Sequence, residues 1–379
     1  MKEFRKNFIG IWVLLLLHAT TLTTVATAAI DEKVIVPKLI ELLNASSNIA
    51  KESCVSKESA LATEKFLSET LFILPDNDGE SHRSIEIITT LLKLYNLPLK
   101  HHLHKSDQGW GATLDKEAIT PEELKRVKRV VIFEMPGKKK EEWLKATRNY
   151  GEPKEVIIVD HHYYEREGLD RRRPESSIEQ IMSLVHWPMS KTDEAIAVND
   201  RSYIPGLKKM GLSEEEIKRI REYDLLYQSL SKQHGEVSEI KKHIAKVTRE
   251  AEAIVPKLKV EKGIYILDDD NVGAGEVGQM IRQVLAIKAP ASEIASTFEI
   301  GLQKGRIGFS GNPKIVQRLI DFDFKSLGYA EGSFVKYGGG DANNSMFFAF
   351  KPDRPPKGRS QLIPNDVLEK IKQQVFMEE

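Results

Sequence analysis

The fold of this chain is decided by the stretch Val156-Ile157-Ile158-Val159-Asp160-His161-His162. Its four β-branched residues follow Gly151 and Pro153, and they predict a buried strand of a parallel sheet. The strand ends in one carboxylate and two imidazoles, which are side chains that bind metals. Open α/β sheets bind their ligands beyond the carboxyl ends of their strands, so the stretch predicts a site as well as a strand.

Three other apolar runs predict further strands of the same sheet, at residues 71–74, 130–133 and 195–198. Helical patterns separate them, including an amphipathic pattern between residues 85 and 95 and another over residues 177–185. Alternating strands and helices of this kind predict an α/β fold with a doubly wound, mainly parallel sheet.

Each predicted strand is followed by side chains that can bind a metal. These are Asp76 and Asp78, then Glu134, then Asp160, His161 and His162, and finally Asp200. Because the carboxyl ends of parallel strands meet at one edge, so many carboxylates would repel each other unless cations neutralise them. Carboxylates and imidazoles without thiolates favour Mn²⁺ or Mg²⁺, with Zn²⁺ or Fe²⁺ as alternatives. Two ions about 3.5–4 Å apart are the usual device for displacement at phosphorus.

The composition excludes several other classes of protein. Among the 379 residues, 56 Lys and Arg balance 56 Asp and Glu, which argues against a globally basic nucleic-acid binder. The single cysteine, Cys54, excludes an intramolecular disulfide framework and a cysteine-rich zinc site.

The first 28 residues have the pattern of a secretory signal peptide. Lys2, Arg5 and Lys6 precede an apolar run over residues 8–17, and Ala26-Thr27-Ala28 forms a small-residue cleavage site. We expect export with cleavage near Ala28. The alternative is an uncleaved anchor, which would be the chain's membrane contact. If this segment is neither, the protein is expected to be cytoplasmic.

The rest of the chain divides into three predicted parts: a metal-binding domain with a helical N-terminal extension over residues 30–213, a charged helical connector over residues 214–258, and a smaller α/β domain over residues 259–379. The smaller domain is predicted to contain a strand at 263–267, a helix at 277–286, a hairpin within 299–309, a strand at 346–350 and a helix after Pro364.

The order Asp76-Asn77-Asp78-Gly79, Glu134, Asp160-His161-His162 and Asn199-Asp200 resembles the DHH phosphoesterase superfamily over roughly residues 70–210. That superfamily includes RecJ-like nucleases, oligoribonucleases, cyclic dinucleotide phosphodiesterases, family II pyrophosphatases and exopolyphosphatases. The resemblance implies a metal-dependent hydrolase of phosphoester or phosphoanhydride bonds with two Mn²⁺ ions, or Mg²⁺ in their place. The implied metal ligands are Asp76, Asp78, Glu134, Asp160, His161 and Asp200. The implied catalytic residues are His162, facing the scissile phosphate, and Asp160.

The second domain resembles the DHHA1 substrate-binding module through Gly338-Gly339-Gly340-Asp341. These four residues and Arg201 are predicted to bind the substrate, a phosphate-containing small molecule or an oligonucleotide. No stable protein partner is predicted. Among the positions that differ from the superfamily pattern, Glu134 replaces an aspartate and Asp341 replaces a histidine. The alternative hypothesis is therefore a non-catalytic member that binds a metal or nucleotide.

Two other motifs could mark sites. Residues 273–278 match G-x-G-x-x-G between a strand and a helix, but three aspartates at 268–270 would repel a pyrophosphate, so a loop and helix cap is the preferred interpretation over an oxidoreductase site. His101, His102 and His104 lie near a predicted short edge strand and are expected to have surface or packing roles.

Overall fold

The structure, a computed structural model, describes residues 57–109, 111–146, 154–164, 169–233, 236–268, 270, 276–290, 292–341 and 345–377. The predicted signal segment, residues 1–28, lies outside the described residues, and so do residues 273–275 of the glycine-rich stretch at 273–278. None of the described helices is long and apolar enough to cross a membrane.

The first domain is built around a parallel sheet. Its strands are β1 (Thr70–Leu74), β2 (Leu103–Lys105), β3 (Arg129–Phe133) and β4 (Glu155–Val159). They pair in the order β2-β1-β3-β4, all parallel. A two-stranded antiparallel ribbon follows, made of β5 (Tyr163–Tyr164) and β6 (Leu169–Asp170). The helices of this domain are α1 (Lys57–Ser68), α2 (Gly79–Leu94), α3 (Leu99–His102), α4 (Pro121–Lys125), α5 (Lys138–Ala146), α6 (Ser177–Leu184) and α7 (Lys191–Lys209).

Side chains of the sheet alternate between two cores, as the two-residue period of a strand requires. Phe72 and Leu74 of β1 belong to a core shared with α2 and α6. Leu71 and Ile73 belong to the opposite core, shared with α4 and α5. Because helices cover both faces, β1 and β3 are apolar on both sides. The predicted doubly wound α/β class is confirmed.

The structure corrects one predicted strand. Residues 195–198 lie in α7, and the fourth strand of the sheet is the short edge strand β2. A capping box between Ser190 and Asp193 starts α7. All four residues from 195 to 198 are buried, so the run shows no helical period that would distinguish it from a buried strand. Asp200 therefore reaches the site from a helix.

Two helices, α8 (Glu214–Gln233) and α9 (Val237–Ile254), follow α7 and fill most of the predicted connector. Helix α8 packs against α2 and α7 of the first domain, and α9 packs against α10 (Glu276–Lys288) of the second. Leu225 of α8 and Val247 of α9 share one apolar core with Leu285 of α10. The connector is therefore packed against both domains.

The second domain is a six-stranded mixed sheet. Its strands are β7 (Lys259–Glu261), β8 (Ile264–Asp268), β9 (Ser296–Gly301), β10 (Arg306–Gly311), β11 (Phe334–Asp341) and β12 (Ser345–Pro352). They pair in the order β11-β12-β10-β9-β8-β7. Helices α11 (Pro313–Asp321) and α12 (Asn365–Phe376) bury Leu319 and Ile371 against Phe309 and Phe350 of the sheet. The strand at 346–350 and the helix after Pro364 agree with the sequence prediction.

The histidines near β2 pack within the first domain. His102 bonds the carbonyl oxygen of Thr70 at 3.0 Å. His104 lies between Glu123 (2.9 Å) and Glu117 (2.8 Å). Burial lowers the pKa of His104, but the hydrogen bonds to these two carboxylates outweigh burial and raise that pKa above its ordinary value.

This pairing makes stability depend on pH. A raised folded-state pKa contributes stability below the unfolded pKa of about 6.5, and that stability is lost as the pH rises through the folded pKa. We expect the His104→Gln variant to lose more free energy of unfolding, relative to wild type, at about pH 5.5 than at about pH 9. Urea denaturation at both pH values measures the difference; an equal loss at both would contradict the pairing.

Candidate metal centre

The candidate site lies where the carboxyl ends of β1, β3 and β4 meet. The chain leaves β1 toward β2 on one side and returns to β3 on the other, which places a topological switch point between β1 and β3. Ligands of open α/β sheets bind at such points. Glu134 follows β3 directly, and Asp160 and His161 follow β4.

Four side chains converge on one point at this edge: Glu80, Glu134, His161 and Asp200, whose ligand atoms lie within 4.8 Å of one another. We call them the ligand cluster. His161 Nε2 is 2.7 Å from Asp200 Oδ2, 3.3 Å from Glu134 Oε1 and 4.0 Å from Glu80 Oε2. A second group joins His162 to Glu134 and His161.

Different elements position the members of the cluster. Glu80 lies in the first turn of α2, and its Oε1 accepts a hydrogen bond from the Ile178 N–H at 2.9 Å. Glu134 has a left-handed φ of 46° and donates its N–H to the Val159 carbonyl at 2.9 Å, which joins the ends of β3 and β4. A left-handed backbone at a non-glycine residue costs about 1–3 kcal/mol and is common at functional sites.

Asp200 comes from the first part of α7, three residues before a break in that helix. Tyr203 has φ 53° and ψ −154°, and Pro205 follows it. The break turns the chain at the point where Ser202 donates its hydroxyl to Asp341 Oδ2 of the second domain at 2.7 Å. The second domain thus contacts α7 two residues after Asp200.

The cluster has the features of a cation site. Glu80 Oε2, Glu134 Oε1, His161 Nε2 and Asp200 Oδ2 are buried, and within the described part of the chain none of the four has a hydrogen-bond partner of acceptable geometry. Buried polar atoms without partners are rare and costly, and a bound ion is one way in which such atoms are satisfied. Three carboxylate oxygens and one imidazole nitrogen fit a divalent ion.

The electrostatics of the cluster lead to the same conclusion. Burial, together with Asp200 and Glu134, raises the pKa of Glu80 well above its ordinary value. Burial would lower the pKa of His161, but Asp200 and Glu134 raise it to about 12. Burial would raise the pKa of Asp200, but His161 lowers it to about 2. His161 thus carries the positive charge that offsets Asp200 and Glu134, and Glu80 is the carboxyl whose ionised form a bound divalent cation would stabilise.

Of the predicted ligands, the structure brings Glu134, His161 and Asp200 together. Asp78 lies beside them, where it caps α2 by accepting a hydrogen bond from the Ser81 N–H at 2.8 Å. Burial and the charges of Glu134 and Asp200 raise the pKa of Asp78 well above its ordinary value.

Two other predicted ligands are engaged by cationic side chains. Asp76 is 2.9 Å from His82 Nδ1 and forms an ion pair with Lys105. Asp160 is fully buried, and its Oδ2 is 3.1 Å from a guanidinium nitrogen of Arg171.

His162 lies at the open side of the cluster. Its ring centroid is 4.3 Å from that of His161, and 42% of its side chain is exposed. Asp160 Oδ1 accepts a hydrogen bond from the His162 N–H at 3.0 Å and lies 3.1 Å from its Nδ1. Partial burial lowers the pKa of His162, but Glu134 and Asp160 raise it above its ordinary value.

The residues predicted to bind substrate have mixed surroundings. Arg201 donates to Glu179 Oε1 at 3.2 Å. Gly338, Gly339 and Gly340 lie in β11, paired with β12 rather than in a loop. Asp341, at the end of β11, accepts the hydrogen bond from Ser202, which lies two residues after Asp200.

One glycine of the run, Gly340, is required by the backbone conformation, apart from its predicted role in substrate binding. Gly340 has a φ of 104°, and a Cβ there would lie 2.5 Å from the Ser345 carbonyl oxygen. We expect Gly340→Ala to lower the free energy of unfolding by about 3 kcal/mol or more, from backbone strain and the clash together. The matched control is Gly332→Ala, where φ is 72° and the space is open; strain alone should cost about 1–2 kcal/mol. Equal losses in urea denaturation would contradict the clash.

Glu80 was not predicted from the sequence as a ligand. It lies in the first turn of α2, two residues after Asp78. An acidic side chain is common at such a position because it interacts favourably with the helix dipole. Only the packing of α2 beside β3, β4 and α7 shows that it faces three other ligands.

The fold and the cluster define a two-domain α/β protein with a carboxylate–histidine centre that could bind a metal. No protein-family model matches the chain, and no curated protein matches it. Solved structures with a related fold do exist. One is an exopolyphosphatase-related protein from Bacteroides fragilis, with 12% identity and a TM-score of 0.39 over 84% of this chain and 96% of that one.

Two further structures are similar. RecJ from Thermus thermophilus, in complex with Mn²⁺, has 11% identity and a TM-score of 0.36 over 84% of this chain and 53% of its own. PggH from Vibrio cholerae, a pGpG-specific phosphodiesterase, has 11% identity and a TM-score of 0.37 over 80% of this chain and 98% of its own. This chain thus spans about half the length of the RecJ chain.

All three structures share little sequence with this chain. Their TM-scores are below 0.5 and their identities are 11–12%. Conclusions about activity therefore rest on the residues of this chain.

Proposed function

We propose that this protein is a metal-dependent hydrolase of phosphoester or phosphoanhydride bonds. The observation that carries the proposal is the convergence of four buried ligand atoms without hydrogen-bond partners among the described residues, contributed by Glu80, Glu134, His161 and Asp200. Mn²⁺ suits this mixture of oxygen and imidazole ligands, and Mg²⁺ is the second choice. A divalent ion held by these four residues would favour the formation of hydroxide from water and would neutralise charge on phosphoryl oxygens.

The chain's own groups contribute orientation and proton transfer. Asp160 contacts both the backbone N–H and Nδ1 of His162, which fixes the orientation of that ring. With Nδ1 held by Asp160, Nε2 is the ring atom that would meet a phosphoryl oxygen or protonate a leaving group. Arg171 in turn holds Asp160 from the opposite oxygen. His162 is thus the proposed catalytic side chain, and Asp160 and Arg171 position it.

The substrate is proposed to be a phosphate-containing small molecule or an oligonucleotide bound between the cluster and β11. The Ser202–Asp341 hydrogen bond supports this placement because it joins the two domains beside Asp200. The position of Asp341 in this hydrogen bond also supports the alternative, a non-catalytic metal-binding protein. Asp341 adds negative charge where a phosphate would approach, and this charge opposes phosphate binding.

An assay of the full chain separates the two functions. The chain is stripped with a chelator, resupplied with Mn²⁺ or Mg²⁺, and tested on bis-p-nitrophenyl phosphate, a linear dinucleotide, pyrophosphate and long-chain polyphosphate. We expect Mn²⁺-dependent hydrolysis of at least one of these substrates and none in the stripped protein. Tight Mn²⁺ binding with no hydrolysis on the whole panel would overturn the enzyme and support the alternative.

A further inference from the structure

Asp76, which a second metal ion would need as a ligand, is paired with two basic side chains. Its Oδ1 is 2.9 Å from His82 Nδ1, and its other oxygen is paired with Lys105. His82 is stacked on Tyr227 of α8 at 3.5 Å between ring centroids, and its Nε2 is 3.5 Å from Glu86. Each oxygen of the Asp76 carboxylate thus faces a basic side chain. Its negative charge is therefore offset by protein groups.

Asp160, which the resemblance also implies as a ligand, is paired with a buried arginine. Its Oδ2 is 3.1 Å from Arg171, whose side chain is 9% exposed and also contacts Glu141 and the Met135 carbonyl oxygen. The other oxygen of Asp160 accepts from the His162 N–H. This carboxylate is thus neutralised and hydrogen-bonded without a metal.

Glu80, which the resemblance does not imply as a ligand, is directed at the cluster. The residue is 2% exposed. The Ile178 N–H holds its Oε1, while its Oε2 is directed at the cluster and has no hydrogen-bond partner among the described residues. A carboxylate held at one oxygen and open at the other is oriented as a metal ligand requires.

We propose that the centre binds one divalent cation, through Glu80, Glu134, His161 and Asp200, and that Lys105 with His82 and Arg171 provide the positive charge that a second ion would otherwise supply. Buried carboxylates need neutralising, and a protein cation held within ion-pair distance can do this in place of a metal. The inference rests on the proposed metal dependence but does not require hydrolysis.

The test is a Mn²⁺ titration of the chelator-stripped full chain, without substrate. Elemental analysis after gel filtration gives the number of ions per chain, and electron paramagnetic resonance distinguishes an isolated Mn²⁺ from an exchange-coupled pair. We expect one ion per chain with the spectrum of an isolated ion. Two ions with a coupled spectrum, or no bound Mn²⁺, would overturn the inference.

Three variants test the ligand set. Glu80→Gln keeps an oxygen for the Ile178 N–H, so the fold should survive while the Mn²⁺ dissociation constant rises about tenfold or more. Asp76→Asn should leave both the stoichiometry and the affinity unchanged. Glu117→Gln is the matched control, a buried glutamate of the same domain that bonds His104 and Ser106 outside the cluster. Unchanged affinity in Glu80→Gln, or lost affinity in Asp76→Asn, would contradict the proposal.

These results separate this inference from the proposed function. One tightly bound ion without hydrolysis of any panel substrate would remove the enzyme and leave the single-ion site standing. Mn²⁺-dependent hydrolysis with two bound ions would support the enzyme and remove the single-ion site.

Discussion

Replacing His161 with alanine is expected to lower Mn²⁺-dependent hydrolysis by about 10³-fold or more and to weaken Mn²⁺ binding at least about 100-fold. The His161 Nε2 atom lies 2.7 Å from Asp200 and 3.3 Å from Glu134, and it is the one imidazole nitrogen of the ligand cluster. Removing it also leaves buried carboxylates facing one another without a positive partner. Calorimetric Mn²⁺ titration and initial rates measure the two effects.

The matched control is His243→Ala. His243 lies on α9, its side chain is 41% exposed, and it pairs with Glu276 rather than with any member of the cluster. This variant should bind Mn²⁺ and hydrolyse substrate as the wild type does. A His161→Ala variant that keeps wild-type affinity and rate would show that the cluster is not the metal centre.

The Arg171→Ala variant is expected to lose about 3–5 kcal/mol of the free energy of unfolding, because removing one partner of a buried pair leaves the other charge uncompensated. Asp160 is fully buried and depends on Arg171 at 3.1 Å, and Glu141 and the Met135 carbonyl contact the same guanidinium. Burial lowers the pKa of Arg171 to about 10, so this side chain still carries its charge at neutral pH. Urea denaturation measures the loss.

The next residue provides a close control. Arg172 has a side chain that is 56% exposed and pairs with Asp170, which is exposed as well. Exposed ion pairs contribute little, so Arg172→Ala should change the free energy of unfolding by less than about 1 kcal/mol. Similar losses in the two variants would mean that the Arg171–Asp160 pair is not the buried structural contact described above.

Much of the first domain was predictable because its central strands are buried on both faces. Continuous apolar runs at 71–74 and 130–133 identify β1 and β3. The run at 156–159 identifies β4, which was predicted to be buried but lies at the edge of the sheet and is only partly buried. The residue types that follow these runs identify the edge where the candidate ligands lie. The same rule failed at 195–198, because a fully buried helix also reads as a continuous apolar run. Asp200 was nonetheless predicted as a candidate ligand, because it follows residues 195–198 whether these form a strand or a helix.

What the sequence could not show depends on side chains that meet only in the folded chain. Arg171 belongs to a run of three arginines that reads as solvated surface, yet it is nearly buried against Asp160. Asp76 was predicted as a ligand from its spacing to Asp78, and its pairing with Lys105 arises from the parallel alignment of β1 and β2. Glu80 has no local signal at all.

The most direct test of the central claim measures Mn²⁺ occupancy and hydrolysis in the same titration. The stripped full chain and its Asp200→Asn variant are titrated with Mn²⁺, and bound metal and initial rate are recorded at each point. The ligand cluster predicts that the wild-type rate rises in proportion to the occupied fraction and saturates with it, while the variant shows weaker binding and a matching loss of rate. Hydrolysis that is independent of bound Mn²⁺, or full occupancy without hydrolysis, would contradict a metal-dependent hydrolytic centre.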